Sequence, residues 1–224
     1  MQEIPARAFE PVASPPSLAD DEIHLWLLSL DGTPHHKAVA AAAHALLGRL
    51  IVRYANRETA PEIARTDRGK PFAPSLPEID FNLSHARDHV LIAIARGQPL
   101  GVDLERVDRK IEVDDLARRF FAPREADALA ILPAEHRLTA FLRLWTCKEA
   151  LLKALGEGIA FGLDRVAFAL DADGAPVGLA ALAPEAGSAV EWQLVRLEPA
   201  RGFLGALAWR GPPRRVRAFL ATTP

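Results

Sequence analysis

The sequence predicts a mixed fold of helices and strands. Two long segments rich in alanine and leucine, 34–54 and 134–155, read as helices. Short apolar runs bounded by turn residues read as strands. The order strand, long helix, strands occurs twice, and the turn Arg96-Gly97-Gln98-Pro99 divides the chain near residue 100. No short repeat accompanies that echo.

In chain order, residues 1–20 contain Pro5, Pro11, Pro15 and Pro16 and read as a flexible N-terminal arm. Residues 23–30 follow as a strand, closed by the Asp31-Gly32 turn. Pro34 suits the first turn of the next helix, where its missing N–H would lack a partner anyway. Residues 56–78 hold few apolar side chains and many prolines, with Arg65, Arg68 and Lys70 around Gly69. Charge and exposed backbone N–H groups together suit phosphate, although such a loop is also an ordinary solvated one. Residues 79–83 and 90–95 are apolar runs joined by Ser84-His85-Ala86-Arg87-Asp88-His89, the pattern of neighbouring strands. A strand at 101–105 and helices at 112–121, 123–131 and 134–155 come next. Gly156 stops the last helix because it can take the left-handed conformation. Strands at 163–170, 190–197 and 203–209 follow, and Arg214, Arg215 and Arg217 read as a solvated basic tail.

At 224 residues, half of them hydrophobic, the chain can build one large domain or two of about 110 residues. A net charge of −2 argues against a general nucleic-acid binder. The single cysteine, Cys147, excludes an internal disulfide and a cysteine-rich zinc site, and reads as a small buried side chain. The first residues lack an apolar core of secretory length, and no run of about 18 apolar residues occurs. The expectation is a soluble cytoplasmic protein without a membrane segment.

Chemistry concentrates in two stretches. In the helix, Trp145, Glu149 and Leu152 share one face, which places a carboxylate on an apolar surface, flanked by Lys148 and Lys153. Spacing alone also allows an ion pair between Glu149 and Lys153. In the strand Gly101-Val102-Asp103-Leu104-Glu105, the two acids point to the same side. Three carboxylates on two elements could hold a hard dication, which prefers oxygen ligands.

These stretches belong to a larger pattern. Gly69-Lys70-Pro71, Phe81-Asn82-Leu83-Ser84-His85, Gly101 to Glu105, Arg119-Phe120-Phe121 and Trp145 to Lys153 together resemble the 4′-phosphopantetheinyl transferase superfamily. The likeness is to its surfactin-synthetase type, in which one chain holds two similar halves. It covers roughly residues 24–170.

The resemblance implies an α+β fold with two pseudo-symmetric halves, each a small antiparallel sheet packed on a long helix. The active site would lie in the cleft between residues 21–100, the coenzyme A pocket, and 101–224, the metal site and signature helix. It implies transfer of the 4′-phosphopantetheine arm of coenzyme A to a serine of an apo acyl or peptidyl carrier protein, making the chain a holo-[acyl-carrier-protein] synthase. Adenosine 3′,5′-bisphosphate would be the by-product. Mg²⁺, with Mn²⁺ possible, would be held by Asp103, Glu105 and Glu149. Glu149, Lys153 and Asp103 would be catalytic. Arg49, Arg65, Lys70, Asn82, Ser84, His85 and Lys148 would contact coenzyme A. Relatives place lysines ahead of the first long helix for the 3′-phosphate; this chain has His35, His36 and Lys37 there. Arg118 and Arg119 would face an acidic carrier, and a monomer would suffice. Two rivals use fewer of these motifs: a metal-dependent phosphodiesterase, and a non-catalytic binding module.

Overall fold

The structure is a computed structural model describing residues 1–32 and 34–222. It begins with strands β1 (Gln2–Pro5), β2 (Phe9–Pro11) and β3 (Glu22–Ser29), then helix α1 (His36–Tyr54). A two-stranded ribbon, β4 (Ala64–Arg65) and β5 (Pro71–Phe72), carries the glycine-bearing basic loop. Three long strands follow: β6 (Ile79–Ala86), β7 (His89–Arg96) and β8 (Leu100–Arg106). Helices α2 (Val113–Phe120), α3 (Pro123–Ala130) and α4 (Ala134–Leu155) come next. The chain ends in β9 (Val166–Leu170), β10 (Pro176–Leu182), β11 (Trp192–Glu198), β12 (Phe203–Arg210) and β13 (Arg215–Ala221).

The long strands form two sheets, in the orders β2-β13-β3-β7-β6 and β1-β11-β12-β8. Period-two alternation assigns their faces. In the first sheet Trp26, Leu28, Val90, Ile92 and Ile94 face α1, while Leu25, Leu27, Leu91, Ala93 and Ala95 face the second sheet. β7 is apolar on both faces, so its sequence shows a continuous run rather than alternation. The second sheet covers α4 with Leu204, Ala206 and Ala208 and meets the first with Val195, Leu197 and Leu207. The layers therefore run α1, sheet, sheet, α4, an α+β arrangement with one long helix per half.

α1 packs through Val39, Ala43, Leu46, Leu47, Leu50, Ile51 and Tyr54, a helical stripe. At its end, Tyr54 Oη lies 2.7 Å from His24 Nδ1 and accepts from Trp26 Nε1 at 2.9 Å. That buried polar knot ties the helix to β3. α4 closes on Gly156, which is left-handed (φ 81°) and donates its N–H to Leu152 and Lys153 carbonyls.

Both chain ends depart from the sequence reading. The segment read as a loose arm contains β1, parallel to β11, and β2, parallel to β13. Pro5 and Pro11 stand at the ends of these edge strands, where a missing N–H costs little, and Pro15 and Pro16 lie in the link to β3. The stretch read as a solvated basic tail is β13, paired with β3 in the first sheet. The division at residue 100 is therefore crossed at both ends: β13 returns to the first half, and β1 joins the second. The central pairings are antiparallel; the parallel ones come from these terminal strands. Among the described residues no helix is long and apolar enough to cross a membrane.

Candidate active site

The site lies on the seam where the edge strands of the two sheets, β6 and β8, run side by side. Asn82 Oδ1 accepts from the Val102 N–H at 2.9 Å, and Ser84 Oγ donates to Asp103 Oδ1 at 2.9 Å. These side chains stitch together two strands that share no ladder.

α4 comes down onto β8 because of Gly101. A Cβ there would stand 2.0 Å from the Ala150 carbonyl oxygen and 2.4 Å from the Ala154 nitrogen, so only glycine permits this approach. The approach brings Glu149 and Lys153 of α4 to Asp103 of β8. Lys153 Nζ donates to Asp103 Oδ1 at 2.6 Å, the Val102 carbonyl at 3.1 Å and Ser84 Oγ at 3.2 Å. Its partner is therefore Asp103, across the seam, and not Glu149 on its own helix.

Asp103 and Glu149 are 5 % and 8 % exposed, and Asp103 Oδ2 and Glu149 Oε1 are buried with no hydrogen-bond partner among the described residues. Such orphaned carboxylate oxygens are costly unless a ligand satisfies them. Burial pushes Glu149 up to about 7, Asp103 and Glu105 add to the rise, and Lys153 opposes it. Glu105 is also raised by burial and by Asp103, against the pull of Arg109, whose guanidinium donates to its carboxylate at 2.5 Å. Among the described residues no three His, Cys, Asp or Glu side chains are already gathered in metal-holding geometry. Asp103 and Glu149 offer free oxygens; Glu105 is turned to Arg109.

Two cavities adjoin here. One, of about 360 Å³, is lined by Ser84, His85, Asp103, Glu105, Trp145, Glu149 and Lys153, with Leu83, Leu104 and Ile159 as its apolar wall. The other, of about 220 Å³, is lined by Arg65, Arg68, Gly69, Lys70, Pro71, Asn82 and Gly158. Leu83 and Lys153 line both. The arrangement joins a basic loop to a carboxylate pair through one lysine.

Several candidates stand elsewhere or are otherwise engaged. Lys148 does not reach the seam. It is fully buried on the far side of α4, donating to Glu125 at 2.6 Å, to Leu163 O at 2.9 Å and to Val166 O. Glu125 in turn accepts from the Phe168 N–H at 2.7 Å, so the pair clamps α3, α4 and β9 together. Arg49 is exposed on α1, donates to the Thr222 carbonyl at 3.1 Å and lines neither cavity. Lys70 lines the smaller cavity, yet its ammonium donates to the Leu100 and Ala154 carbonyls, both at 3.1 Å. There it caps the negative end of α4, and burial lowers it to about 8. Arg65 lines the cavity while donating to the Gly69 carbonyl at 2.8 Å. His35 caps α1 by accepting from the Ala38 N–H. His36 sits edge-on to His85, ring centres 5.0 Å apart. Cys147 is fully buried, which pushes its thiol up to about 12.

Comparison with known proteins adds an independent line. A family model described as the 4′-phosphopantetheinyl transferase superfamily matches residues 99–200. The 4′-phosphopantetheinyl transferase HetI of Nostoc sp. (strain PCC 7120) is 33% identical over 231 residues, covering 88% of this chain and 92% of the relative. This chain belongs to the 4′-phosphopantetheinyl transferase superfamily. The transferase Sfp of Bacillus subtilis (strain 168) is 32% identical over 139 residues, 59% of this chain and 61% of its own. The L-aminoadipate-semialdehyde dehydrogenase-phosphopantetheinyl transferase of Xenopus laevis is 30% identical over 151 residues, 60% of this chain and 50% of its own. The family match spans β8 and α4, the two elements that carry Asp103, Glu105, Glu149 and Lys153.

Sequence reasoning missed two residues of the site's frame. Glu125 was hidden in a short helix whose acids look solvated; its position three residues after Ala122, where its carboxylate accepts the Ala122 N–H at 3.0 Å, was the available signal. Arg109 lay in the connector after β8, and its spacing of four from Glu105 was the corresponding clue.

Proposed function

We propose that this superfamily member transfers the 4′-phosphopantetheine arm of coenzyme A to a serine hydroxyl of an apo acyl or peptidyl carrier protein. The products are the holo carrier and adenosine 3′,5′-bisphosphate. The observation that carries this reading is the pair of buried, unpartnered oxygens, Asp103 Oδ2 and Glu149 Oε1, beside Lys153 at the junction of two cavities.

The donor set fits a hard dication: two orphaned carboxylate oxygens whose mutual repulsion a positive charge would relieve. Asp103 and Glu149 would hold it, joined by Glu105 once released from Arg109. Bound Mg²⁺ or Mn²⁺ would supply neutralisation of the diphosphate charge. The remaining steps belong to the chain's own groups. The basic loop with Arg65 and Arg68, together with Asn82, receives the nucleotide end of coenzyme A. Lys153 holds its ammonium at the junction; its longest contact, to Ser84 Oγ, is the one a phosphate oxygen replaces. From there it stabilises charge developing toward the leaving bisphosphate. The carrier serine oxygen attacks the phosphorus bearing the pantetheine arm, and the bond from that phosphorus to the bisphosphate breaks. Glu149, the carboxylate on α4 beside Lys153, takes the serine proton.

On the carrier side, Phe121 and Phe120 turn inward on Phe141 and Trp145, leaving Arg118 and Arg119 exposed for an acidic partner. All these groups come from one chain, which supports a monomer, and the carriers it would serve are cytoplasmic ones. The test is intact-mass spectrometry of a panel of apo carrier proteins incubated with this protein, coenzyme A and Mg²⁺. A gain of one phosphopantetheine, lost with EDTA or with the carrier serine changed to alanine, is the expected result. No gain on any carrier, with coenzyme A bound, refutes the reading.

A further inference from the structure

The three acids at the seam are not equally available. Asp103 Oδ2 and Glu149 Oε1 are buried with no partner among the described residues, Asp103 Oδ1 is held by Lys153 at 2.6 Å, and Glu105 Oε1 accepts from Arg109 Nη1 at 2.5 Å. The Glu105 side chain is 17% exposed and that of Arg109 is 44% exposed. Arg109 lies beyond the end of β8, in the irregular connector to α2, so its guanidinium can leave without disturbing a regular element. Lys153, by contrast, is fixed on α4 by three contacts.

We propose that Arg109 is a displaceable counter-ion: its contact with Glu105 Oε1 competes with a divalent cation for that carboxylate. The inference rests on the metal reading of Asp103 and Glu149 given above. Two positive charges compete for one carboxylate, so removing the arginine favours the metal. Because the pair is partly solvated, the competition is worth a modest factor.

The experiment is Mn²⁺ binding to the full chain, followed by the electron paramagnetic resonance signal of the free ion, alone and with coenzyme A, carrier absent. Arg109→Gln is expected to bind Mn²⁺ about three- to fivefold more tightly than wild type. The gain is expected to vanish when Glu105→Gln is added, since nothing is then left to compete for. Arg109→Lys is expected to restore part of the wild-type weakness. Equal or weaker binding by Arg109→Gln, or a gain that persists with Glu105→Gln, overturns the inference. Absence of saturable Mn²⁺ binding to wild type under either condition overturns the metal reading itself, a separate failure.

Discussion

Lys148 and Lys153 stand five residues apart on α4, and the two do opposite work. Five residues turn a helix by about 140°, so the side chains leave on nearly opposed faces. Lys148 enters the core, where Glu125 and two carbonyls consume its three donors. Lys153 enters the seam, half-buried, against Asp103 and Ser84. The charge is the same in both; what differs is whether the ammonium is sealed among fixed partners or left beside a cavity. A buried, fully satisfied lysine clamps a fold, and a lysine at a cavity wall can exchange a contact with a ligand.

Identical substitutions break this comparison most clearly. Lys148→Met leaves Glu125 buried without its cation and should cost about 3–5 kcal/mol in urea unfolding. Retention of wild-type stability would show that the clamp is dispensable. Lys153→Met should leave the circular-dichroism spectrum native and slow carrier modification at least about 100-fold, the scale of one lost transition-state donor. The two variants are thus expected to differ in kind, one losing stability and the other the chemistry.

A smaller effect sharpens the electrostatics. Burial and Asp103 hold the folded-state affinity of Glu149 for its proton near 7, above the ordinary 4.5. The metal-free folded protein therefore binds that proton more tightly than the unfolded chain. The associated stability is complete below about pH 4.5 and is lost as pH rises through 7. Glu149→Gln suffers no such loss. In EDTA, its melting temperature relative to wild type should climb by on the order of 5 °C between pH 5 and pH 8. A difference that stays flat with pH would contradict the buried-charge account. Smallest of all, Arg49→Ala should change the KM for coenzyme A by less than about twofold, because its guanidinium is spent on the Thr222 carbonyl. A tenfold rise would return Arg49 to the pocket.

How far the sequence could be read follows from the same contrast. α4 was legible along its whole length, since no glycine or proline interrupts it between Ala134 and Gly156. The carboxylates stood out because the strand period puts Asp103 and Glu105 on one side of β8 and the helix period puts Glu149 on an otherwise apolar face of α4. Gly101 stood in the motif as well, although only the structure shows that it admits the backbone of α4. Direction was not legible: nothing local says that Lys148 faces β9 or that Lys70 bends back to cap a helix 84 residues away. Nor was β13, whose arginines masked the alternation Arg215-Val216-Arg217-Ala218 that pairs it with β3. Long-range partners decide those cases, and periodicity contains no information about them.

The central claim is that chemistry occurs at the carboxylate pair beside Lys153. The most direct test is the rate of phosphopantetheine transfer by Asp103→Asn and Glu149→Gln, read by intact mass on a carrier that the wild type modifies. The account predicts at least about a 100-fold loss in each, with native circular dichroism. Wild-type turnover by either variant would contradict it.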